Sequence, residues 1–303
     1  MMKKVFYIMV FLQLCFIYPK TSFPGFKSWL SPYRMALGGS GYLSFSPLTN
    51  RNNPASLESK KTFYSGLIRY PSSIMGQTLA ITMPKKQQTI GLAVQNLSYG
   101  TFNGYNSESI YTEKYSSSDT WINFYNSRES TWDNLKYGLA LSWFKSSLAN
   151  NQINAIVVSL GLQFYYKPLD INLGISLNNH GNVFKNNSSN LGELPKEIVI
   201  SSSKKLLYLP MKVFFDGVFN SDYNFENINI GGEAQITTNI EFIWGSSLNK
   251  ISQNTSQSFW RSFLAASGTG LAYNVNSIKI LYSSFFLGTG VIYNGFTFQI
   301  NIL

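Results

Sequence analysis

The chain has 303 residues, of which 13% are charged, 44% hydrophobic and 16% aromatic, with 23 Phe and 19 Tyr. Few charges beside many rings exclude a disordered chain, and a mean hydropathy of −0.05 is too low for a bundle of membrane-spanning helices. The net charge is +10, yet its lysine pairs (Lys60-Lys61, Lys85-Lys86, Lys204-Lys205) are scattered beside strand ends, which suits turns near acidic lipid headgroups and argues against nucleic acid.

The first residues read as a signal peptide over 1–23: Met1-Met2-Lys3-Lys4, then an apolar core from Val5 to Tyr18 broken only by Gln13. That core is too short to span a bilayer as a helix, and cleavage is expected between Thr21 and Gly25. Leu14 before Cys15 is too large for lipid attachment, and cleavage removes the sole cysteine. Residues 24–60 carry Pro24, Pro32, Pro47, Pro54 and the run Gly38-Gly39-Ser40-Gly41, so a continuous helix is excluded. They are expected to form an N-terminal segment, or plug, packed at or in the body built by residues 61–303.

From Lys61 to the end the chain alternates with the period of two that marks strands. Fourteen are expected, at 61–70, 75–83, 88–99, 119–127, 135–145, 153–166, 169–178, 196–204, 210–219, 226–237, 240–248, 261–274, 276–285 and 290–302. In 169–178 the residues Leu169, Ile171, Leu173, Ile175 and Leu177 alternate with Asp170, Asn172, Gly174, Ser176 and Asn178. In 135–143 Leu135, Tyr137, Leu139, Leu141 and Trp143 share one face, and Lys136 points to the other. Strand 61–70 is read with Tyr64 and Tyr70 at either end of a Gly66/Ile68 lipid face, at headgroup level. The last strand sets Phe296, Phe298, Ile300 and Ile302 against Thr297, Gln299 and Asn301. An even number of long amphipathic strands predicts an all-β fold, a 14-stranded antiparallel transmembrane barrel over 61–303 in a bacterial outer membrane. Tight links fall at Pro84–Gln87, Lys167-Pro168 and Thr238-Asn239. Long loops are expected at Gly100–Ser118, Asn179–Pro195 and Asn249–Trp260, and should face outwards.

Catalytic chemistry finds little support. His180 is the single histidine, in a strand-end Asn-His-Gly step, and hydrolytic triads lean on that residue type. Ser201 and Lys204 are three apart and so face opposite sides of a strand. Glu108, Glu113 and Asp119 are too widely spaced for a known calcium loop. The glycine run lacks the Gly-Lys-Ser/Thr of a phosphate loop, and Gly38, Gly39 and Gly41 are read as sites of close backbone packing inside the barrel mouth. No enzyme activity, cofactor or metal is expected. The stretch Tyr99–Tyr115 sets Tyr99, Phe102, Tyr105, Tyr111 and Tyr115 among Ser, Asn and Gly, a mixture favoured by protein-binding loops. A lid folded on its own barrel is the alternative.

The segment MALGGSGYLSFSPLTNRNNPASL (35–57) resembles the N-terminal signature of the PorV/PorQ family of outer-membrane proteins, an Ala-x-Gly-Gly start followed later by Asn-Pro-Ala at Asn53-Pro54-Ala55. TIGLAVQNLSYGTFNGY (89–105), SLGLQFYYKPLDINLGISLNNHG (159–181) and LPKEIVISSSKKL (194–206) are similar to later family segments in the same order, and IGGEAQIT (230–237) leans towards the PorQ-like branch. The resemblance implies a fourteen-stranded barrel related to fatty-acid-transporter barrels. It also implies a non-enzymatic part in type IX protein secretion, accompanying or receiving exported cargo for surface attachment, with secretion-system proteins and cargo as partners. Asn53 and Pro54 join the glycines as the N-terminal packing motif. Asn106 and Ser107 stand where the family often carries an acidic pair, so the resemblance assigns that loop no recognition role. The alternative function is passive transport of hydrophobic solutes, which calls for a plug from residues 23–60 and a lateral gap in the wall.

Overall fold

The computed structural model describes residues 23–44, 52–148, 151–185, 193–220, 224–252, 264–288 and 290–302. The expected leader, apart from Phe23, lies outside them. Fourteen strands form where the alternation marks them: β1 (Thr62–Arg69), β2 (Met75–Lys85), β3 (Gln88–Tyr105), β4 (Tyr111–Glu129), β5 (Leu135–Leu148), β6 (Asn151–Tyr166) and β7 (Ile171–Lys185). The second half adds β8 (Glu197–Lys205), β9 (Met211–Asn220), β10 (Phe225–Gln235), β11 (Ile240–Ser247), β12 (Ser267–Val275), β13 (Ile278–Phe286) and β14 (Ile292–Asn301). Each pairs antiparallel with its sequence neighbours, and β14 returns to β1 with Thr62 opposite Asn301, closing the barrel.

Closure removes every sheet edge from the wall, the condition for strands to cross a bilayer. The side chains sort as a bilayer demands. In β5, Leu139 and Leu141 are 41% and 46% exposed, while Ala140 and Ser142 between them are 3% and 5% exposed. Lys136 turns inward and pairs with Glu129 at 3.4 Å; on the outer face at mid-membrane it would cost about 2–4 kcal/mol.

Two of the expected long loops are corrected to strand. β3 runs on past Gly100 to Tyr105 and β4 begins at Tyr111, so most of Gly100–Ser118 is a hairpin; β7 continues past Asn179 to Lys185. Each extension starts at a bulge. The β3–β4 register slips between Ser98 and Gly100, where Gly100 has φ +96. In β7, Asn178 and Asn179 together oppose Ser159, and Asn179 has φ +62. An inserted residue inverts the in–out parity: Asn178 and Asn179 are both buried and His180 is exposed. A period-two pattern read from sequence therefore stops at the bulge although the strand does not. In the third loop, Asn249–Ser252 forms a helical turn and residues 253–263 lie outside the described residues.

The β1 face is also corrected. Tyr64 and Ile68 are buried in the lumen, and Leu67 faces out. The Tyr64 hydroxyl lies 3.2 Å from Thr297 Oγ1, and the Tyr70 hydroxyl donates to the Trp29 carbonyl at 2.6 Å. These phenols turn inward because the N-terminal segment and β14 offer them polar partners. Among the described residues no pair of neighbouring strands is parted to leave the lateral gap that passive solute transport calls for. The nearest feature is a notch, since the β7–β8 ladder stops at Asn178 opposite Glu197 while β7 continues with β6 alone.

The hydrophobic core lies inside the barrel, where residues of the N-terminal segment fill the lumen. A 3-10 turn at Pro24–Lys27 leads to α1 (Pro32–Ala36), which has Pro at its first position and is capped by Ser31, whose Oγ accepts from the Arg34 N–H at 3.3 Å. A second 3-10 turn, Pro54–Ser56, is capped by Asn53. Met35, Ala36 and Leu37 are wholly buried. They lie against wall glycines: Gly245 abuts the Leu37 carbonyl, Gly268 the Met35 carbonyl, and Gly138 the Pro54 backbone. A β-carbon at any of these three would overlap main chain.

Candidate functional site: the filled lumen

The glycine run of the N-terminal segment is a left-handed turn pressed against the wall. Gly38, Gly39 and Gly41 have φ of +61, +91 and +85, which L side chains rarely adopt. Gly41 N–H donates to Asp216 Oδ2 at 2.6 Å, and the Gly39 carbonyl accepts from Arg34 Nη2 at 2.6 Å and Asn229 Nδ2 at 3.3 Å. Arg34 also donates to Asn52 Oδ1 at 3.1 Å and lies 4.1 Å from the Tyr42 ring centroid, which ties the two parts of the segment together. Asn53 Nδ2 reaches the Leu162 and Ile175 carbonyls at 2.9 and 3.3 Å, while its Oδ1 accepts from the Ala55 N–H at 2.9 Å. Pro54 seats on Gly138. Lys27 pairs with Glu226, and the Tyr33 hydroxyl donates to Glu233 Oε2 at 2.6 Å. Burial first, and then the Glu233 charge, push the Tyr33 phenol well above its ordinary pKa.

The filled lumen has two unlike ends. Towards the tight turns it opens into a cavity of about 320 Å³ lined by Glu58, Lys60, Lys212, Glu233, Glu241 and Lys279, where Lys279 pairs with Glu241. A further cavity of about 590 Å³ at this end is lined by Glu129, Lys136, Tyr165 and Asp170 among others. Towards the long loops the lumen is apolar and aromatic. Phe23, Phe26 and Leu30 of the segment pack there with Leu97, Trp121, Phe144, Ala155 and Val157 of the wall. The Phe26 ring lies 5.6 Å from Trp121 and 4.7 Å from Phe144, and those two lie 5.0 Å apart. Such offset and edge-on packing is the favoured geometry for aromatic groups. Asp119, 3% exposed, stands at the edge of this chamber and accepts from the Tyr99 hydroxyl at 2.7 Å.

The five aromatics read as a partner-binding loop do not lie in one group. Tyr99 packs against the chamber and holds Asp119. The other four lie on a two-stranded ribbon, because the β2–β3 ladder ends at Ser98 and the β4–β5 ladder at Ser117. On it Phe102 stacks with Tyr115 at 5.5 Å, and Tyr105 meets Tyr111 edge-on at 6.1 Å. Tyr105 and Tyr111 are 62% and 56% exposed, which an alternative lid closed on the barrel would not show.

Trp121 and Phe144 escape the reading of the sequence, which considers Asp119 only as a calcium ligand. A signal was present: on β4 the inward face runs Asp119, Trp121, Asn123, Tyr125, Ser127, with large rings in the polar phase. Among the described residues no group of three potential metal ligands occurs.

Neither a family model nor a curated protein sequence matches the chain. Solved structures do. A variant of the TodX monoaromatic hydrocarbon channel aligns with TM-score 0.56 and 12% identity over 90% of this chain and 99% of that one. The P. putida toluene transporter TodX aligns with TM-score 0.53 and 11% identity over 90% and 98%. The fold is that of a closed fourteen-stranded outer-membrane barrel. A P. aeruginosa FadL homologue is more distant, with TM-score 0.47 and 9% identity over 89% and 96%.

Proposed function

We propose that this chain is a passive outer-membrane channel for small hydrophobic solutes, with residues 23–60 as its internal gate. The observation that carries the reading is the aromatic chamber of Phe23, Phe26, Trp121 and Phe144 at the long-loop end of the lumen, opposite the charged cavities of the turn end. Trp121 and Phe144 of the wall are covered by Phe23 and Phe26 of the segment, so a shift of the segment would open an apolar site of the kind small ligands occupy. The likeness to TodX, described as a toluene transporter, supports the same reading at the level of fold. The wall shows no parted strands among the described residues, and the charged cavities at the turn end oppose passage of an apolar molecule straight down the axis, so in this reading entry and release both require the segment to shift or the wall to open beside the β7–β8 notch. Uptake of labelled toluene at limiting concentration tests this in cells lacking the gene and in complemented cells. Loss on deletion and recovery on complementation is expected; equal uptake in both rejects the reading.

A second reading keeps the part in type IX secretion implied by the ordered segments between 35 and 206. The projecting ribbon, with its exposed Phe102, Tyr105 and Tyr111, favours it as a surface for a protein partner. Surface display of exported cargo would fall in the deletion strain; undiminished display removes this reading.

A further inference from the structure

We propose that the lumen chamber selects one-ring solutes bearing an uncharged hydroxyl, and that Asp119 and Trp121 make the choice. This rests on the channel reading and adds a head-group preference to it. The Phe26 ring beside Trp121 and Phe144 shows the size of group the chamber accepts, a single six-membered ring. Two polar functions stand two residues apart on the inward face of β4 beside it, and Gly25 lies against Asp119 Oδ2 and against Cη2, a carbon of the Trp121 ring. Displacing the segment uncovers the carboxylate and that edge of the indole.

Asp119 accepts from Tyr99, and Ser146 is its second side-chain donor. A carboxylate offers about four acceptor positions, so room remains for another donor. Among the described residues Asp119 has no ion-pair partner. Trp121 is wholly buried, and its Nε1–H has no acceptor. A buried donor in that state is costly and rare in native proteins. A phenol answers both groups, its oxygen accepting from Trp121 and its proton going to Asp119. A hydrocarbon answers neither. A carboxylate brings a second acid into an apolar site beside Asp119 with no cation to offset it.

Three probes sharing one ring separate these cases: p-cresol, toluene and p-toluate, titrated calorimetrically onto the full chain in detergent and corrected for partition into protein-free micelles. The expected result is p-cresol bound about tenfold more tightly than toluene, the worth of two net hydrogen bonds, with p-toluate unbound. Asp119→Leu should bring p-cresol to the toluene level. Trp121→Phe, which removes the N–H and retains one aromatic ring, should lower the preference for p-cresol over toluene about threefold, toluene in the same variant correcting for the smaller side chain. Equal binding of p-cresol and toluene, comparable binding of p-toluate, or a preference untouched by both substitutions overturns the inference and leaves the channel reading standing. If none of the three binds to the wild-type chain or to Phe26→Ala, whose chamber is opened, the inference and the channel reading fall together.

Discussion

At Gly245 the wall lies so close to the Leu37 carbonyl that a β-carbon has no place, whereas at Gly100 nothing stands within 4 Å and only the φ of +96 calls for glycine. The two positions should therefore respond differently. Gly245→Ala is expected to destabilise the folded barrel by about 1–3 kcal/mol through overpacking, and Gly100→Ala by about 1 kcal/mol through backbone strain alone. The midpoint of heat-induced loss of folded gel mobility orders them; equal shifts would mean that the segment yields freely. Tyr33 supplies a pH dependence. Its phenol is raised in the fold by burial and by Glu233, so the stability it lends is intact below the ordinary value of 10.0 and drains away as pH climbs towards the raised one. In Tyr33→Phe the decline of the melting midpoint above about pH 10 should be shallower than in the wild type. A parallel decline would exclude Tyr33 as a contributor.

Among the elements, the β3–β4 ribbon and the β7 bulge make opposite claims. Beyond Ser98 and Ser117 the ribbon pairs only with itself, so replacing residues 101–116 with a tight turn should leave the thermal midpoint of the barrel essentially unchanged. A large drop would show that the ribbon braces the rim. Asn179 is different, because its extra residue sets which side of the wall receives everything after it. Without it, exposed Phe184 and half-buried Val183 would exchange faces. Deletion of Asn179 should abolish the folded, heat-modifiable form, whereas Asn179→Gly, which keeps the left-handed φ, should retain it. A folded deletion variant would mean that the β6–β7 ladder slips to absorb the change.

The described residues form a cylinder with its core in the middle, and that core is shared between the wall and the N-terminal segment. Gly41 to Asp216, Tyr33 to Glu233, Lys27 to Glu226 and Asn53 to β6 and β7 fasten it to widely separated parts of the wall. Reconstituted in planar bilayers, the full chain is expected to show little ion conductance. Removal of residues 24–44 should raise it sharply, since water then replaces the plug among the polar lining residues. A tight membrane after the removal would mean that the strands collapse inward, or that other parts of the chain close the lumen.

The period of two was enough to place all fourteen strands and to tell lipid side from lumen side in β5, β7 and β14, because a bilayer rewards apolar exterior residues one by one, in strictly local order. Local order also singled out the run Gly38-Gly39-Ser40-Gly41, though not the left-handed turn it forms. It could not follow a strand through Gly100 or Asn179, since a bulge is defined by the partner strand and not by the chain that carries it. Nor could it turn Tyr64 inward or gather Trp121, Phe144 and Phe26 into one chamber. Those groups lie far apart in sequence, and what joins them is barrel closure with the N-terminal segment folded back inside, a long-range arrangement that no window of neighbouring residues contains.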